Sequence, residues 1–373
     1  MNLQTSYIPA YSNEITILMT TPITPKIQKS LLPWSRIIVW IFVSLGCCVV
    51  AASIGSVSIH PMETIMIILS KFPFINVDKT WEDSSYTILW EIRFPRILLA
   101  LLVGASLSIA GATYQGLFRN PLADPYFIGV ASGASLGATL VFLTNIPTVI
   151  GNFNVLPIAA FVGGTSAVAI AYKISSTSSN TKLATLILAG IAIGSFTTAV
   201  TSILMIRTEP DLRPLLSWIM GGFIGAKWAD SMFLLPYLIP SFLLVCIYSR
   251  ILNTIQLDEE YAESLGVNTE RTKKVLIIVS TILTAAAVSF SGLIGFVGLV
   301  APHVVRILWG GDYRSLIPTA ALVGGSFLVL SDLIARTVVS PGELPVGIIT
   351  ALFGAPFFIF LLVKNRSKIY LHE

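Results

Sequence analysis

The chain has 373 residues, of which 54% are hydrophobic and only 11% are charged, and its formal net charge is +4. A soluble domain cannot bury so large an apolar share, so this composition excludes a soluble enzyme and predicts an all-α polytopic membrane protein. The positive charge is that expected of basic residues near anionic lipid headgroups, and it gives no support to nucleic-acid binding.

Residues 1–33 are polar and rich in Thr, Ser and Pro, and they predict a flexible cytoplasmic N-terminal tail. About ten apolar segments of transmembrane length or slightly less follow. They are Ser35–Ser56, Pro95–Phe118, Tyr126–Thr144, Val155–Tyr172, Leu183–Ile206, Ser231–Arg250, Val275–Phe290, Phe296–Trp309, Leu316–Ala335 and Val346–Val363. Ile59–Trp90 is predicted to be an extracytoplasmic loop, and residues 367–373 a cytoplasmic C-terminal tail.

The segment SGLIGFVG at Ser291–Gly298 is either a turn between two spans or a bend inside one long span. Charge distribution separates these readings. With ten spans and a cytoplasmic N-terminus, 15 of the 23 Lys and Arg residues lie on the cytoplasmic side, whereas nine spans place only 10 there. The excess of basic residues on the cytoplasmic side therefore favours ten spans, with both termini cytoplasmic.

Two weaker patterns concern helix packing. A small-residue stretch near Tyr114 resembles one near Gly295, and with five spans per half such a repeat must be inverted in the membrane, as in many transporters. Glycines 129, 133 and 137, and glycines 190 and 194, recur at intervals of four residues. This spacing predicts close approach of neighbouring helices, and it also suits a path lined by small residues.

Ionisable residues are scarce within the predicted spans, where His303 and Asp332 are the exceptions. Ion-coupled transporters and channels usually need such groups inside the bilayer. The chain also has no GxxxxGK[ST] phosphate-binding motif, so ATP is not expected to bind through that motif on this subunit. Energy for transport is therefore expected to come from another protein.

The most charged loop, LDEEYAESLGVNTERTKK at Leu257–Lys274, offers a place to receive that energy. Asp258 is a helix N-cap candidate, Gly266 suits a left-handed helix end, and Asn268 is a second N-cap candidate. These signals predict two short helices joined by a tight turn, forming a projecting foot. A solvated loop that only follows the charge rules is the alternative.

Several motifs together resemble one known family. They are RFPR, AGATYQGLFRNPLADP, LGVNTERTKK, GFVGLVAPHVVR, SDLIAR and GELPVGIITALFGAPFFIFLL. In this order they resemble the FecCD-type permease subunits of ABC importers for iron-siderophore complexes, haem and cobalamin. The resemblance implies a ten-helix permease domain over residues 34–366, which pairs with an identical or homologous permease, two cytoplasmic ATPase subunits and an extracytoplasmic solute-binding protein.

The resemblance also implies roles for particular residues. Arg93, Arg96 and Arg336 match arginines that meet acidic residues of the binding protein, and all three depart from the inward bias of positive charge. Snorkelling of these arginines towards the interface is the alternative. Glu263, Leu265 and Gly266 match the foot that docks on the ATPase.

The expected function is ATP-driven import of a ferric-siderophore-type complex across the bacterial inner membrane, with no cofactor, no metal site and no catalysis on this chain. Cobalamin or haem import by the same architecture is an alternative, and an ion-coupled secondary transporter is an alternative of another class. Ser175–Lys182 lies where related permeases narrow the path, but its long polar run singles out no gate residue.

Overall fold

The computed structural model of the chain describes residues 34–55, 57–71, 78–79, 81–144, 149–150, 153–176, 183–207 and 212–369. The predicted N-terminal tail and residues 177–182 of the predicted segment Ser175–Lys182 lie outside these residues. The predicted C-terminal tail lies partly outside them, and its first three residues, 367–369, continue the last helix.

The described elements are almost all helical. In chain order they are α1 (Trp34–Ser53), α2 (Pro61–Leu69), α3 (Asp83–Thr87), a π-helix (Ile88–Arg93), α4 (Phe94–Leu117), a 3-10 helix (Pro125–Ile128), α5 (Val130–Leu143), β1 (Val149–Ile150), β2 (Phe153–Asn154), α6 (Val155–Ser175), α7 (Leu183–Arg207), α8 (Arg213–Met220), α9 (Trp228–Leu257), α10 (Glu259–Ser264), α11 (Thr269–Ser291), α12 (Val297–Trp309), α13 (Tyr313–Ala335) and α14 (Val346–Ile369). The two strands form a small antiparallel pair.

Among the described residues, eight helical segments are long and apolar enough to cross a membrane, and α5 and α12 are shorter apolar helices. The prediction of an all-α membrane protein with about ten apolar helices is therefore confirmed. The predicted loop Ile59–Trp90 was wrong in part, because it contains α2, α3 and half of the π-helix. The second span begins at Asp83 and runs without interruption to Leu117. Its π-helical turn lies directly before Pro95, which has no backbone N–H to donate.

Helix α4 lies at the centre of the bundle, and most of its residues are buried. Gly104 meets the backbone of Gly324 and Gly325 in α13, and Gly111 meets the backbone of Gly298 in α12. A Cβ atom at either position would overlap these backbones. Small residues therefore allow α4 to pack against α12 and α13 at distances that larger side chains would prevent.

The predicted glycine spacing also marks close helix contacts. Gly133 faces Gly163 and Gly137 faces Ala159, which brings α5 against α6, and Gly190 of α7 meets the backbone of Ile128. Gly129 is different, because it has φ of 93° and precedes α5 in a left-handed conformation. The expectation of tight packing is confirmed, but the regular row of three glycines is not, since only two of them lie in α5.

The segment SGLIGFVG is a break between two helices. Helix α11 ends at Ser291, Gly292 has φ of 66°, Phe296 has φ of 69°, and α12 begins at Val297. Gly292 also packs against the carbonyl of Trp218 in α8, a helix that the sequence did not predict. The seventh and eighth predicted spans are therefore two separate helices and not one continuous long helix.

Candidate functional sites at the two ends of the bundle

The three arginines predicted to contact a binding protein lie together at one end of the bundle, and all three are buried. Their exposed fractions are 4% for Arg93, 8% for Arg96 and 9% for Arg336. Arg93 ends the π-helix, Arg96 lies in the first turn of α4, and Arg336 follows the last residue of α13. Three separate chain segments thus bring their guanidinium groups to one place.

Two of these arginines bond to the carboxyl end of α1. Arg93 donates to the carbonyl of Ser53 at 3.2 Å and to the carbonyls of Ala52 and Val57, and Arg336 donates to the carbonyl of Ala51. The last carbonyl groups of a helix lack partners within the helix and carry the negative end of its dipole. Two cationic donors therefore satisfy these carbonyls and fix the end of α1.

Arg96 is held by two carboxylates. Its Nε donates to Asp332 Oδ1 at 2.9 Å, its Nη2 donates to the same oxygen at 2.8 Å, and its Nη1 donates to Glu343 Oε2 at 2.8 Å. Arg336 Nε lies 3.8 Å from Asp332 Oδ2. Asp332, one of the two ionisable groups noted within the spans, is therefore the buried counter-ion of these arginines. We define Arg93, Arg96, Arg336, Asp332 and Glu343 as the outer arginine cluster, named for the extracytoplasmic side on which the sequence analysis predicts it.

The guanidinium groups of the cluster form hydrogen bonds and ion pairs with other residues of the same chain. Glu343 is its most accessible member, with a side chain that is 34% exposed, whereas the side chain of Arg96 is 10% exposed. The sequence analysis did not identify Glu343, because 247 residues separate it from Arg96 and no local pattern links them. In this structure the arginines join α1, α4 and α13, and their contact with a second protein stays a prediction.

The foot lies at the opposite end of α4 from this cluster. Asp258 accepts a hydrogen bond from the N–H of Glu260 at 2.9 Å, Gly266 has φ of 82°, and Asn268 accepts from the N–H of Arg271 at 2.8 Å. Both predicted caps and the left-handed turn are therefore present. The second helix is not short, however, because Asn268 caps α11, which continues for 23 residues as a membrane-length helix.

The three residues predicted to contact an ATPase have different surroundings. Glu263 accepts a hydrogen bond from the hydroxyl of Thr269 at 2.5 Å, which fastens α10 to the first turn of α11. Leu265 is 60% exposed, and a side chain at Gly266 would meet open space. Tyr261, which the sequence analysis did not identify, is 52% exposed and lies four residues before Leu265. An exposed aromatic residue and an exposed leucine at this spacing give α10 an apolar surface.

A cavity of about 440 Å³ lies between α6, α9 and α11. Aromatic rings form much of its wall, and two charged residues lie at the start of α9; these residues are Phe161, Phe233, Tyr237, Phe290, Lys227 and Asp230. Among the residues that the structure describes, no group of His, Cys, Asp and Glu side chains could hold a metal ion. The cavity thus offers an apolar, aromatic environment with a few polar groups.

An apolar helix bundle with a charged cluster at one end and a protruding foot at the other defines a membrane permease. Solved structures include a similar fold, in an inward-facing conformation of a metal-chelate type ABC transporter. It is 31% identical, its TM-score is 0.77, and the match covers 88% of this chain and 99% of the other.

The chain belongs to the FecCD transport family, which it matches over residues 40–364. It is 46% identical over 286 residues to the cobalamin import system permease protein BtuC of Halobacterium salinarum, and the match covers 77% of this chain and 76% of that protein. It is 39% identical to the hemin transport system permease protein HmuU of Yersinia pestis (77% and 88% covered). It is 38% identical to the Fe(3+) dicitrate transport system permease protein FecD of Escherichia coli K12 (75% and 86% covered).

Proposed function

We propose that this chain is the permease subunit of an ABC importer that carries a ferric-siderophore-type complex into the cell, driven by ATP hydrolysis on separate subunits. Membership of the FecCD transport family over residues 40–364 is the observation that carries the proposal. The named relatives transport cobalamin, hemin or ferric dicitrate, so the common class of solute is a chelated metal. Import of cobalamin is the second candidate, because a relative with 46% identity is named for it.

The ionic chemistry of the bundle supports an external energy source. Asp332 is one of the two ionisable groups noted within the spans, and Arg96 contacts both of its oxygens. A carboxylate that couples transport to a proton must exchange that proton during the cycle. A buried carboxylate whose two oxygens both accept hydrogen bonds from Arg96 is instead suited to a fixed structural ion pair. This arrangement argues against the ion-coupled secondary transporter.

We assign the contact with the ATPase to the foot. Its exposed Leu265 and Tyr261 form an apolar surface on a short helix, and Gly266 provides the left-handed turn that ends it. A helix of this kind can enter a groove on a partner and move as a rigid body with it. Movement of the ATPase pair would then reach the membrane helices through α10 and α11.

We assign docking of the binding protein to the outer arginine cluster, with Arg93, Arg96 and Arg336 as its cations. Arg96 donates two hydrogen bonds to Asp332 and a third to Glu343, and it is 8% exposed, so an acidic partner gains access to Arg96 by displacing the more exposed Glu343. Glu343 is the accessible member of the cluster, so this exchange is the simplest route to a direct contact. We also infer that a second permease subunit, identical or homologous, pairs with this chain and that the solute passes between the two.

The function is tested by reconstituting the chain in lipid vesicles with its cognate ATPase and binding protein, and measuring uptake of ferric siderophore, haem and cobalamin. We expect uptake that requires ATP and both partners, with the ferric chelate as the best solute. Uptake driven by an ion gradient without the ATPase would contradict the proposal, and preference for cobalamin would favour the second candidate.

Gly266→Val tests the foot in the same system. A β-branched residue resists positive φ, so the turn should distort and ATP hydrolysis should no longer drive uptake, while the amount of protein in the membrane stays normal. Gly310→Val is the matched control, because Gly310 has a similar φ of 90° and also faces open space. Equal coupling in the two variants would remove the foot from the mechanism.

A further inference from the structure

Arg119 occupies a position where helices commonly have glycine. Helix α4 ends with the N–H of Asn120 donating to the carbonyl of Gln115 at 3.2 Å and the N–H of Arg119 donating to the carbonyl of Gly116 at 3.3 Å. This is the Schellman arrangement, in which the residue at C′ adopts a left-handed conformation and is usually glycine. Arg119 has φ of 49°, and a residue with a Cβ atom is strained there. Arg119 therefore places a long cationic side chain at a position where its backbone conformation is unfavourable.

The side chain of Arg119 reaches the foot. Its Nη2 lies 3.5 Å from Glu259 Oε2, and Glu259 is the first residue of α10. The other oxygen of Glu259 contacts Lys273 Nζ of α11, and Lys273 also pairs with Glu270 at 3.1 Å. The carboxylate of Glu259 is thus held between a cation at the end of α4 and a largely buried cation in α11.

Two further contacts fix α10 to the bundle. Ala262 is the buried residue among its six, and Glu263 accepts a hydrogen bond from the hydroxyl of Thr269 in α11. Next to it, Gln256 at the end of α9 donates to the carbonyl of Gly116 in the last turn of α4 at 2.8 Å. The polar contacts that Glu259 and Gln256 make with this end of α4 therefore involve Arg119 and Gly116.

We propose that Arg119, Glu259 and Lys273 form a coupling joint, which transmits movement of the foot to α4. This inference rests on the proposed function, in which the foot docks on an ATPase. Helix α4 is buried along most of its length, and its 24 residues extend about 36 Å, from the outer arginine cluster to the joint. A movement applied at Glu259 is thereby delivered to the central helix of the bundle. Arg119 and Glu259 are positioning residues that touch no solute.

The left-handed backbone of Arg119 separates a role in coupling from a role in stability. Arg119→Gly removes the cation and relieves the strain at the same position. A residue needed only for folding would not leave a protein of equal or higher stability when it is removed. We expect the complex containing Arg119→Gly to unfold at the same or a higher temperature, to retain its ATPase subunits and to hydrolyse ATP, while the solute imported per ATP falls roughly tenfold.

Further variants keep this experiment decisive. Glu259→Gln preserves side-chain shape and should show the same loss of solute per ATP, whereas Glu260→Gln, its exposed neighbour, should transport normally. Arg119→Lys retains a cation and should keep most of the transport. Normal transport by both Arg119→Gly and Glu259→Gln would overturn the joint, and so would loss of the ATPase subunits from either complex, since the residues would then serve assembly.

Leu265→Asp distinguishes failure of the joint from failure of the proposed function. This change places a charge on the exposed apolar surface of the foot and should release the ATPase subunits. If Leu265→Asp releases them and Arg119→Gly transports normally, only the joint is wrong. If Leu265→Asp assembles and transports like the unchanged chain, the docking role of the foot is wrong, and with it the proposed basis of the joint.

Discussion

Replacing Arg96 by methionine should leave Asp332 buried without its main partner. The side chain of Asp332 is 2% exposed, and Arg336, at 3.8 Å, is the remaining cation beside it. Removing one member of a buried ion pair typically costs about 3–5 kcal/mol, because the other charge stays out of water without compensation. We expect the free energy of unfolding of Arg96→Met, measured by denaturant titration in mixed micelles, to fall by an amount in this range.

The second arm of this experiment is Arg96→Met combined with Asp332→Leu. Buried ion pairs replaced by apolar side chains of similar size are often as stable as the original. Because Arg336 also loses Asp332 as its counter-ion, the double variant should recover part of the lost stability and not all of it. Glu343 is one-third exposed and can be solvated when Arg96 is absent. A single variant as stable as the unchanged chain, or a double variant as unstable as the single one, would refute this reasoning.

The double variant also isolates docking from folding. If Arg96 contacts the binding protein, the double variant should bind that protein at least roughly tenfold more weakly than the unchanged chain does, because a desolvated charged contact has been removed. Titration of the purified binding protein against the variant in vesicles measures this change. An unchanged affinity would confine Arg96 to holding α4 and α13 together.

Two further predictions concern packing and pH. Gly111→Ala should force α4 away from the backbone of Gly298 and lower the free energy of unfolding by about 1–3 kcal/mol. Gly46→Ala is the control, and it should not destabilise the chain, because nothing lies within 4 Å of a Cβ atom at that position. Equal effects of the two substitutions would contradict the packing argument. Burial raises the pKa of the Asp124 carboxyl group from 3.8 to about 6, so the folded chain binds this proton more readily, and stability should rise as the pH falls from about 6 to about 4. Asp124→Asn keeps the acceptor for the N–H of Tyr126 but carries no charge. Its free energy of unfolding should exceed that of the unchanged chain by on the order of 3 kcal/mol at pH 7 and match it near pH 4. A difference that stays constant across this pH range would contradict the raised pKa of Asp124.

Local signals in the sequence predicted local structure well. Asp258 and Asn268 cap their helices, and Gly266 ends α10, because each role depends on bonds to residues only two or three positions away. The break at SGLIGFVG was predictable for a similar reason, since charge on either side of a span depends on the number of crossings. The all-α fold class and the approximate number of helices therefore follow from composition and short-range chemistry.

Contacts between distant segments could not be predicted in this way. Arg96 and Asp332 are 236 residues apart, and Arg119 and Glu259 are 140 apart, so no spacing rule links them. The residues that begin the second helical segment were assigned to a loop because Ile59–Trp90 contains Pro61, Pro73 and several acidic residues. Their helical structure depends on continuity with the apolar residues that follow, which a local pattern does not report.

The bonding of α1 has a consequence for biosynthesis. Ser44 of α1 bonds to Ser326 at 2.7 Å, Arg36 donates to the carbonyl of Trp309 at 3.2 Å, and the carbonyl of Ala51 accepts from Arg336. Each partner follows the α1 residue that it contacts by more than 270 residues, so the ribosome makes it much later. The contacts of α1 with α2 and α4 can form early, but its bonds to Trp309, Ser326 and Arg336 can all be in place only after synthesis has passed the end of α13.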